Sequence, residues 1–314
     1  MKDANSALTE GLGLLAISLK LTIRGYTSTT RARVALQFCP HSDCLRAEDS
    51  SVRHSCIEKE NLGLSAFPPL KRDHEGVPTC KIVFWGPTMA GKTTALTIFK
   101  VLKTLEDPDN VFKWLKLEDP TGRTLFFDQG IFGVGRDTST GLPYLKYHVF
   151  TVPGQDRHSA QRKVILQGVH GLVVVIDSEM SRWDENKSSL VEVNELIGDR
   201  FSNATLPYQI LLNKMDLPKD ERISSLEVGK LLVESGANEN LRDAAVRIVE
   251  SSCLSARNDL KELLASKSRE DITDENGRLK KNMRPPSVKR VVQPVEALIR
   301  EILIQIMKQQ RFGS

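Results

Sequence analysis

Cys80-Lys81-Ile82-Val83-Phe84-Trp85 runs directly into Gly86-Pro87-Thr88-Met89-Ala90-Gly91-Lys92-Thr93. The first stretch ends in an apolar run that suits a buried strand. The second satisfies the phosphate-loop pattern G-x-x-x-x-G-K-[ST]. After it, Ala95, Leu96, Ile98, Phe99 and Leu102 recur at the three-and-four spacing of one helix face. Strand, glycine loop and helix in this order predict a phosphate-binding turn built from Gly86, Pro87, Thr88, Met89, Ala90, Gly91, Lys92, Thr93 and Thr94. Glycines let the backbone wrap with its N–H groups pointing inward, and the helix N-terminus adds positive potential. Lys92 then reaches the outer phosphates, and the Thr93 hydroxyl is offered to Mg2+.

Outward from this unit, short apolar runs recur at Leu172 to Ile176, Ile210 to Leu212 and Ile248 to Val249, with helical stretches between them. That alternation predicts an α/β fold whose mostly parallel sheet is covered by helices on both faces. One hairpin interrupts it. Leu145, Tyr147 and Val149 alternate with polar neighbours after a turn rich in Asp137, Ser139, Gly141 and Pro143, so Thr124 to Val134 is expected as the first, antiparallel strand. Val295, Leu298, Ile299, Ile302, Leu303 and Ile306 follow the helical period behind Pro294, which predicts a closing helix over 293–309. Asn213-Lys214-Met215-Asp216 stands at the carboxyl end of an apolar run, where open α/β sheets bind ligands. Asp216 can accept hydrogen bonds from guanine N1 and its exocyclic amine, Asn213 tethers the site, and the Lys214 stem covers the ring. Ser255-Ala256 further on is expected to supply the remaining base contact.

Composition narrows the alternatives. Hydrophobic residues make up 40% and charged residues 27% of 314, an ordinary globular balance with room for one domain plus large additions. With 44 basic against 40 acidic residues, the net charge of +4 argues against a nucleic-acid-binding surface. No apolar run approaches a membrane span, because Gly11 to Ile23 is interrupted by Lys20. The Met-Lys-Asp start does not resemble a secretion signal, and the five cysteines are few and scattered. A cytoplasmic protein is expected, with any peripheral membrane attachment left to a partner or an amphipathic segment. The expected division is an N-terminal extension over 1–78, a nucleotide-binding core over 79–257, a charged insertion over 258–292 and the closing helix. Cys39, Cys44, His54 and Cys56 could supply zinc ligands, although their spacing matches no standard finger. The basic stretch of Lys280, Lys281, Arg284, Lys289 and Arg290 reads as a solvated linker.

With these residues in hand the chain resembles a Ras-superfamily small GTPase, and within that superfamily the MglA-type polarity switches of bacteria and their archaeal relatives. Cys80 to Val83 with Gly91 to Thr94, Arg123-Thr124-Leu125-Phe126-Phe127-Asp128, and Thr151-Val152-Pro153-Gly154-Gln155 carry the likeness. Thr151 stands where Ras-like proteins have the Asp that holds Mg2+ through water, and MglA-type proteins share that Thr. The resemblance implies the P-loop GTPase fold, GTP and GDP as ligands and Mg2+ as cofactor. It also implies roles: Thr124 closes over Mg2+ and the γ-phosphate, the Gly154 N–H senses that phosphate, Gln155 orients the attacking water, and Arg123 acts as a built-in arginine finger. Hydrolysis that is slow alone and accelerated by a roadblock/longin-type partner is implied as well. A GTP-bound interaction scaffold that does not hydrolyse is the alternative, motivated by Thr151.

Overall fold

The computed structural model describes residues 67–115, 128–153, 159–202, 205–237 and 245–312. Arg123, Thr124, Gly154, Gln155 and the four zinc candidates lie outside them. The chain separates into two units, one comprising 1–66 with Gly135–Tyr144 and the other 67–134 with 145–314. Of the first unit, the described part is the turn at 135–144, where the Asp137 carboxylate accepts from the N–H groups of Ser139 and Thr140.

Among the described residues of the second unit, eight strands form one sheet. They are β1 (Lys71–Arg72), β2 (Pro78–Trp85), β3 (Val111–Leu115), β4 (Gln129–Val134), β5 (Leu145–Thr151), β6 (Gly171–Asp177), β7 (Tyr208–Asn213) and β8 (Ile248–Glu250). The order across the sheet is β3-β4-β5-β2-β6-β7-β8, with β1 added antiparallel to β2. Strands β5, β2, β6, β7 and β8 are parallel neighbours, while β3, β4 and β5 are joined antiparallel. All four expected parallel runs lie within these strands, as does the described part of the hairpin; 124–127 of its first strand lie outside the described residues. Strand β3 has no counterpart in the sequence reading, because Val111 to Leu115 is short and half-exposed along its length.

Alternation along β6 distributes its side chains to two faces. Val173 and Val175 join one apolar cluster, and Leu172, Val174 and Ile176 join the other. The first cluster takes in α1 (Lys92–Glu106), α5 (Cys253–Ser266) and α6 (Pro286–Phe312) through Leu96, Phe99, Leu260, Val295 and Leu298. The second takes in α2 (Ser159–Leu166), α3 (Trp183–Ile197) and α4 (Ser225–Glu234) through Ile165, Leu190, Val228 and Leu231. No helix among the described residues is long and apolar enough to cross a membrane.

Two boundaries differ from those expected. The second unit begins at Phe67 rather than 79, because Phe67 is buried against His170, with ring centroids 5.3 Å apart, and Lys71–Arg72 pairs with β2. The closing helix begins at Pro286 rather than 293 and continues through Pro294. Proline costs a helix its i−4 hydrogen bond, yet Val288, Val291, Val292, Val295 and Leu298 are all buried along one stripe, and that packing outweighs the lost bond. The charged insertion is packed in part. Ile272 and Leu279 enter the core, the Leu279 N–H donates to the Leu105 carbonyl at 2.7 Å, and Arg284 pairs with Glu106 at 2.7 Å and Glu296 at 3.1 Å. Arg284 therefore lies at the carboxyl end of α1, where the helix dipole is negative, while Lys281, Lys289 and Arg290 are exposed.

His170 sets a pH dependence. Its Nδ1 accepts from the Lys81 N–H at 3.0 Å. Burial, then the nearby Arg200, lowers its pKa to about 4 against the opposing Pro68 and Pro69 carbonyls, with Lys81 adding to the fall. Between that value and the ordinary 6.5 the unfolded chain binds the proton more readily than the folded one. The stabilisation is therefore complete above pH 6.5 and lost as pH falls towards 4. Thermal melts should show a lower midpoint at acid pH, and His170→Gln should flatten that fall.

Candidate phosphate and base site

The phosphate loop leaves the carboxyl end of β2 and enters α1 at Lys92, so the helix N-terminus points into it. Two of its glycines are obligatory. Gly86 has φ +146°, and a side chain there would overlap the Val175 carbonyl of β6. Gly91 has φ +103°, and a Cβ there would overlap the side-chain amide of Asn213. Among the described residues, the non-glycine residues with positive φ are Met89 at 63° and Lys214 at 67°. Both belong to this site, and each such conformation costs about 1–2 kcal/mol that the surrounding structure must sustain.

Lys92 folds back over the loop and donates to the carbonyls of Gly86 at 2.8 Å and Pro87 at 2.6 Å. Burial pushes its ammonium down to about 7, with Arg162 adding to the shift and Asp128 opposing it. A phosphate placed in the loop supplies the negative charge this buried ammonium lacks. Pro87 and Ala90 are buried, Thr88 and Thr94 half-buried, and Met89 is exposed.

Next to the loop lies a carboxylate to which the sequence reading assigned no role. The Thr93 hydroxyl donates to Asp128 Oδ2 at 2.6 Å, and the Thr151 hydroxyl donates to the same oxygen at 2.9 Å. Thr151 also accepts from the Asp128 N–H at 3.0 Å. Asp128 has no exposure to water, and its Oδ1 is buried with no hydrogen-bond partner among the described residues. Buried charge without full pairing is costly, and it concentrates where a ligand completes the set. The available signal was Asp128 at the end of the apolar run Leu125-Phe126-Phe127 in the sequence.

The base loop follows β7. Asn213 is buried, its amide donates to the Ala90 carbonyl at 2.7 Å, and its Oδ1 accepts from the Cys253 N–H at 2.8 Å. One side chain thus joins the phosphate loop, β7 and the start of α5. Asp216 is exposed at the mouth, and Lys214 Nζ pairs with Asp177 Oδ2 at 2.6 Å. Ser255 and Ala256, expected to supply the remaining base contact, open α5. Both lie inside the first turn of α5; the Ser255 N–H donates to the Ser252 hydroxyl at 3.0 Å, and the Ala256 N–H to the Ser252 carbonyl at 3.0 Å. The segment that meets the base loop is Ser251–Cys253, where the Ser251 carbonyl accepts from Met215 N–H at 3.0 Å. Ser252 ahead of the helical stripe Cys253, Ala256 and Leu260 is an N-cap signal that locates this boundary. The Cys253 thiol, pushed up to about 12 by burial with Asp216 adding, is held protonated.

A parallel sheet with a phosphate loop after its central strand and an Asn-Lys-x-Asp loop at a neighbouring strand end defines a nucleotide-binding switch of the small-GTPase class. The family model of the ADP-ribosylation factor family (Arf) matches residues 139–269. "Mutual gliding-motility protein MglA" of Myxococcus xanthus (strain DK1622) is 39% identical over 140 residues, which cover 44% of this chain and 69% of that protein. The chain belongs to the Ras superfamily of small GTPases, a GTP-binding class, and within it to the MglA type.

The Gly91–Asn213 contact yields a direct expectation. Gly91→Ala should cost about 2 kcal/mol in the bound loop conformation, or about 30-fold in affinity. Equilibrium titration with a fluorescent guanine nucleotide measures this.

Proposed function

We propose that the protein is a GTP-binding regulatory switch that hydrolyses GTP to GDP and phosphate by in-line attack of water. The observation that carries this reading is the buried Asp128 carboxylate. Thr151 in place of the usual Asp was the ground for a scaffold that holds GTP without hydrolysing it. Asp128, entering from β4 and bonded to both Thr93 and Thr151, supports a different account, in which the missing carboxylate is supplied by a neighbouring strand.

The residues present fit a divalent cation: a threonine hydroxyl and a carboxylate with one unpartnered oxygen are hard oxygen donors of the kind Mg2+ takes beside phosphates. Thr93 and Asp128 would hold Mg2+, Thr93 by its hydroxyl, with Thr124 as a further ligand by family likeness. When bound, the ion neutralises charge shared by the β- and γ-phosphates. The chain's own groups supply the rest. The loop amides and Lys92 bind the phosphates, and Asn213, Lys214 and Asp216 orient and select the base. By the same likeness Gln155 orients the water, Arg123 offsets charge developing on the transferred phosphoryl group, and the Gly154 N–H registers the γ-phosphate. Hydrolysis then releases the switch segments around Thr124 and Gln155. The same likeness supports slow unaided turnover, a roadblock/longin-type activating partner and a cytoplasmic setting. Residues 67–134 with 145–314 form the proposed GTPase unit.

Purified protein given GTP and ATP in parallel tests the reading. Retention of guanine nucleotide with phosphate release from GTP is expected, and stoichiometric GTP without turnover, with or without a partner, would leave the scaffold. Gln155→Leu should slow release by about 100-fold with binding preserved. Asp216→Asn should reduce the preference for GTP over ATP by about tenfold. For the proposed relocated carboxylate, Asp128→Asn should weaken Mg2+-dependent tightening of GTP binding by about 10- to 100-fold. GTP affinity without Mg2+ should be nearly unchanged. Equal Mg2+ dependence in the variant would remove Asp128 from the cation site.

A further inference from the structure

The Lys214 ammonium at the base loop does not end in solvent. It reaches Asp177, the last residue of β6, which has no exposure to water. The Asn186 side chain fixes that residue's main chain, accepting from its N–H at 3.0 Å and donating to its carbonyl at 2.8 Å. A carboxylate this deeply buried needs cationic partners. Arg182 is the second, with Nε 3.8 Å from the same Asp177 oxygen that Lys214 contacts. Its Nη1 pairs with Glu185 at 2.6 Å, and its Nη2 donates to the Thr88 carbonyl in the phosphate loop at 2.9 Å. The rigid, planar guanidinium can serve these three directions at once, as an ammonium on a flexible stem cannot.

The consequence lies in the Thr88–Met89 peptide. Its bond is trans, so carbonyl and N–H point to opposite sides. Drawing the Thr88 carbonyl towards Arg182 turns the Met89 N–H away from it. That orientation coincides with φ 63° at Met89, a backbone conformation L side chains disfavour and an external contact must therefore maintain. The tie also differs from the one made by Asn213, which holds the Ala90 carbonyl from the other end of the loop.

We propose that Arg182 is a positioning residue: it holds the Thr88–Met89 peptide with its N–H available to a phosphate and, through Asp177, couples that peptide to Lys214 at the base loop. The nucleotide's two ends are thereby sensed by one charge network centred on the buried Asp177 carboxylate. The inference rests on the guanine-nucleotide reading of the site.

Release of a fluorescent N-methylanthraniloyl-GDP from the full-length protein, followed by stopped flow, tests it in five forms: wild type, R182A, R182K, M89G and R182A/M89G. Release should be about tenfold faster in R182A, the loss of one charge-assisted hydrogen bond. R182K should recover part of that loss, because one donor can still reach the carbonyl. Gly at position 89 adopts positive φ freely, so in the M89G background the R182A substitution should accelerate release by only about twofold. D177N should accelerate release and also narrow the preference for GDP over ADP in competition, since Lys214 loses its anchor. Equal acceleration by R182A in both backgrounds would overturn the proposal, as would an unchanged release rate. R182K no slower than R182A would count against it too, and it is the form to use if R182A does not fold. Failure of the wild type to bind the probe would instead remove the guanine-nucleotide reading beneath it.

Discussion

The contact between Gly91 and the Asn213 side chain is the constraint on which the site rests. Asn213 can bridge the Ala90 carbonyl and the Cys253 N–H only because no Cβ stands at position 91. Three segments far apart in sequence therefore meet within one amide's reach: the loop after β2, the end of β7 and the first turn of α5. Their relative placement follows from the sheet, since β2, β6 and β7 are parallel and end on one side. A buried amide with both ends satisfied is rigid, and rigidity here means that phosphate and base recognition share one frame.

Around that frame, charge is buried to an extent a structural core would not tolerate. Lys92, Asp128 and Asp177 are all hidden from water within a few residues of the loop or its neighbouring strands. Main-chain carbonyls serve Lys92, two hydroxyls serve one oxygen of Asp128 and leave the other without a partner among the described residues, and cations reaching in from Lys214 and Arg182 serve Asp177. The desolvated Lys92 ammonium favours a phosphate beside it, and the unpartnered Asp128 oxygen favours a cation.

The addition after α5 acts at the far end of the same helix that begins at Lys92. Arg284, Lys103, Glu106 and Glu296 form an ion-pair cluster at the carboxyl end of α1, closed over by Leu279 and Ile272. Within what composition reads as a charged linker, Arg284, Ile272 and Leu279 are thus packed. The charges are there because they neutralise a helix terminus and one another, and a charge count cannot distinguish that from solvation.

Local pattern was enough for the central strands, the phosphate loop and the base loop, because each depends on short-range order: an apolar run, glycines at set spacing, a polar tetrapeptide at a strand end. The start of α5 was also within reach, through Ser252 as a cap, although the dipeptide Ser255-Ala256 drew attention past it. Tertiary structure alone decided the rest. Pro294 sits inside a helix because buried valines on both sides hold it there, Phe67 belongs to the core because His170 receives it, and Asp128 reaches Thr151 and Thr93 because β4 lies beside β5. Sequence encodes which residues favour strand, turn or helix; which carboxylate reaches which hydroxyl depends on strand order, and strand order is set by packing between residues distant along the chain.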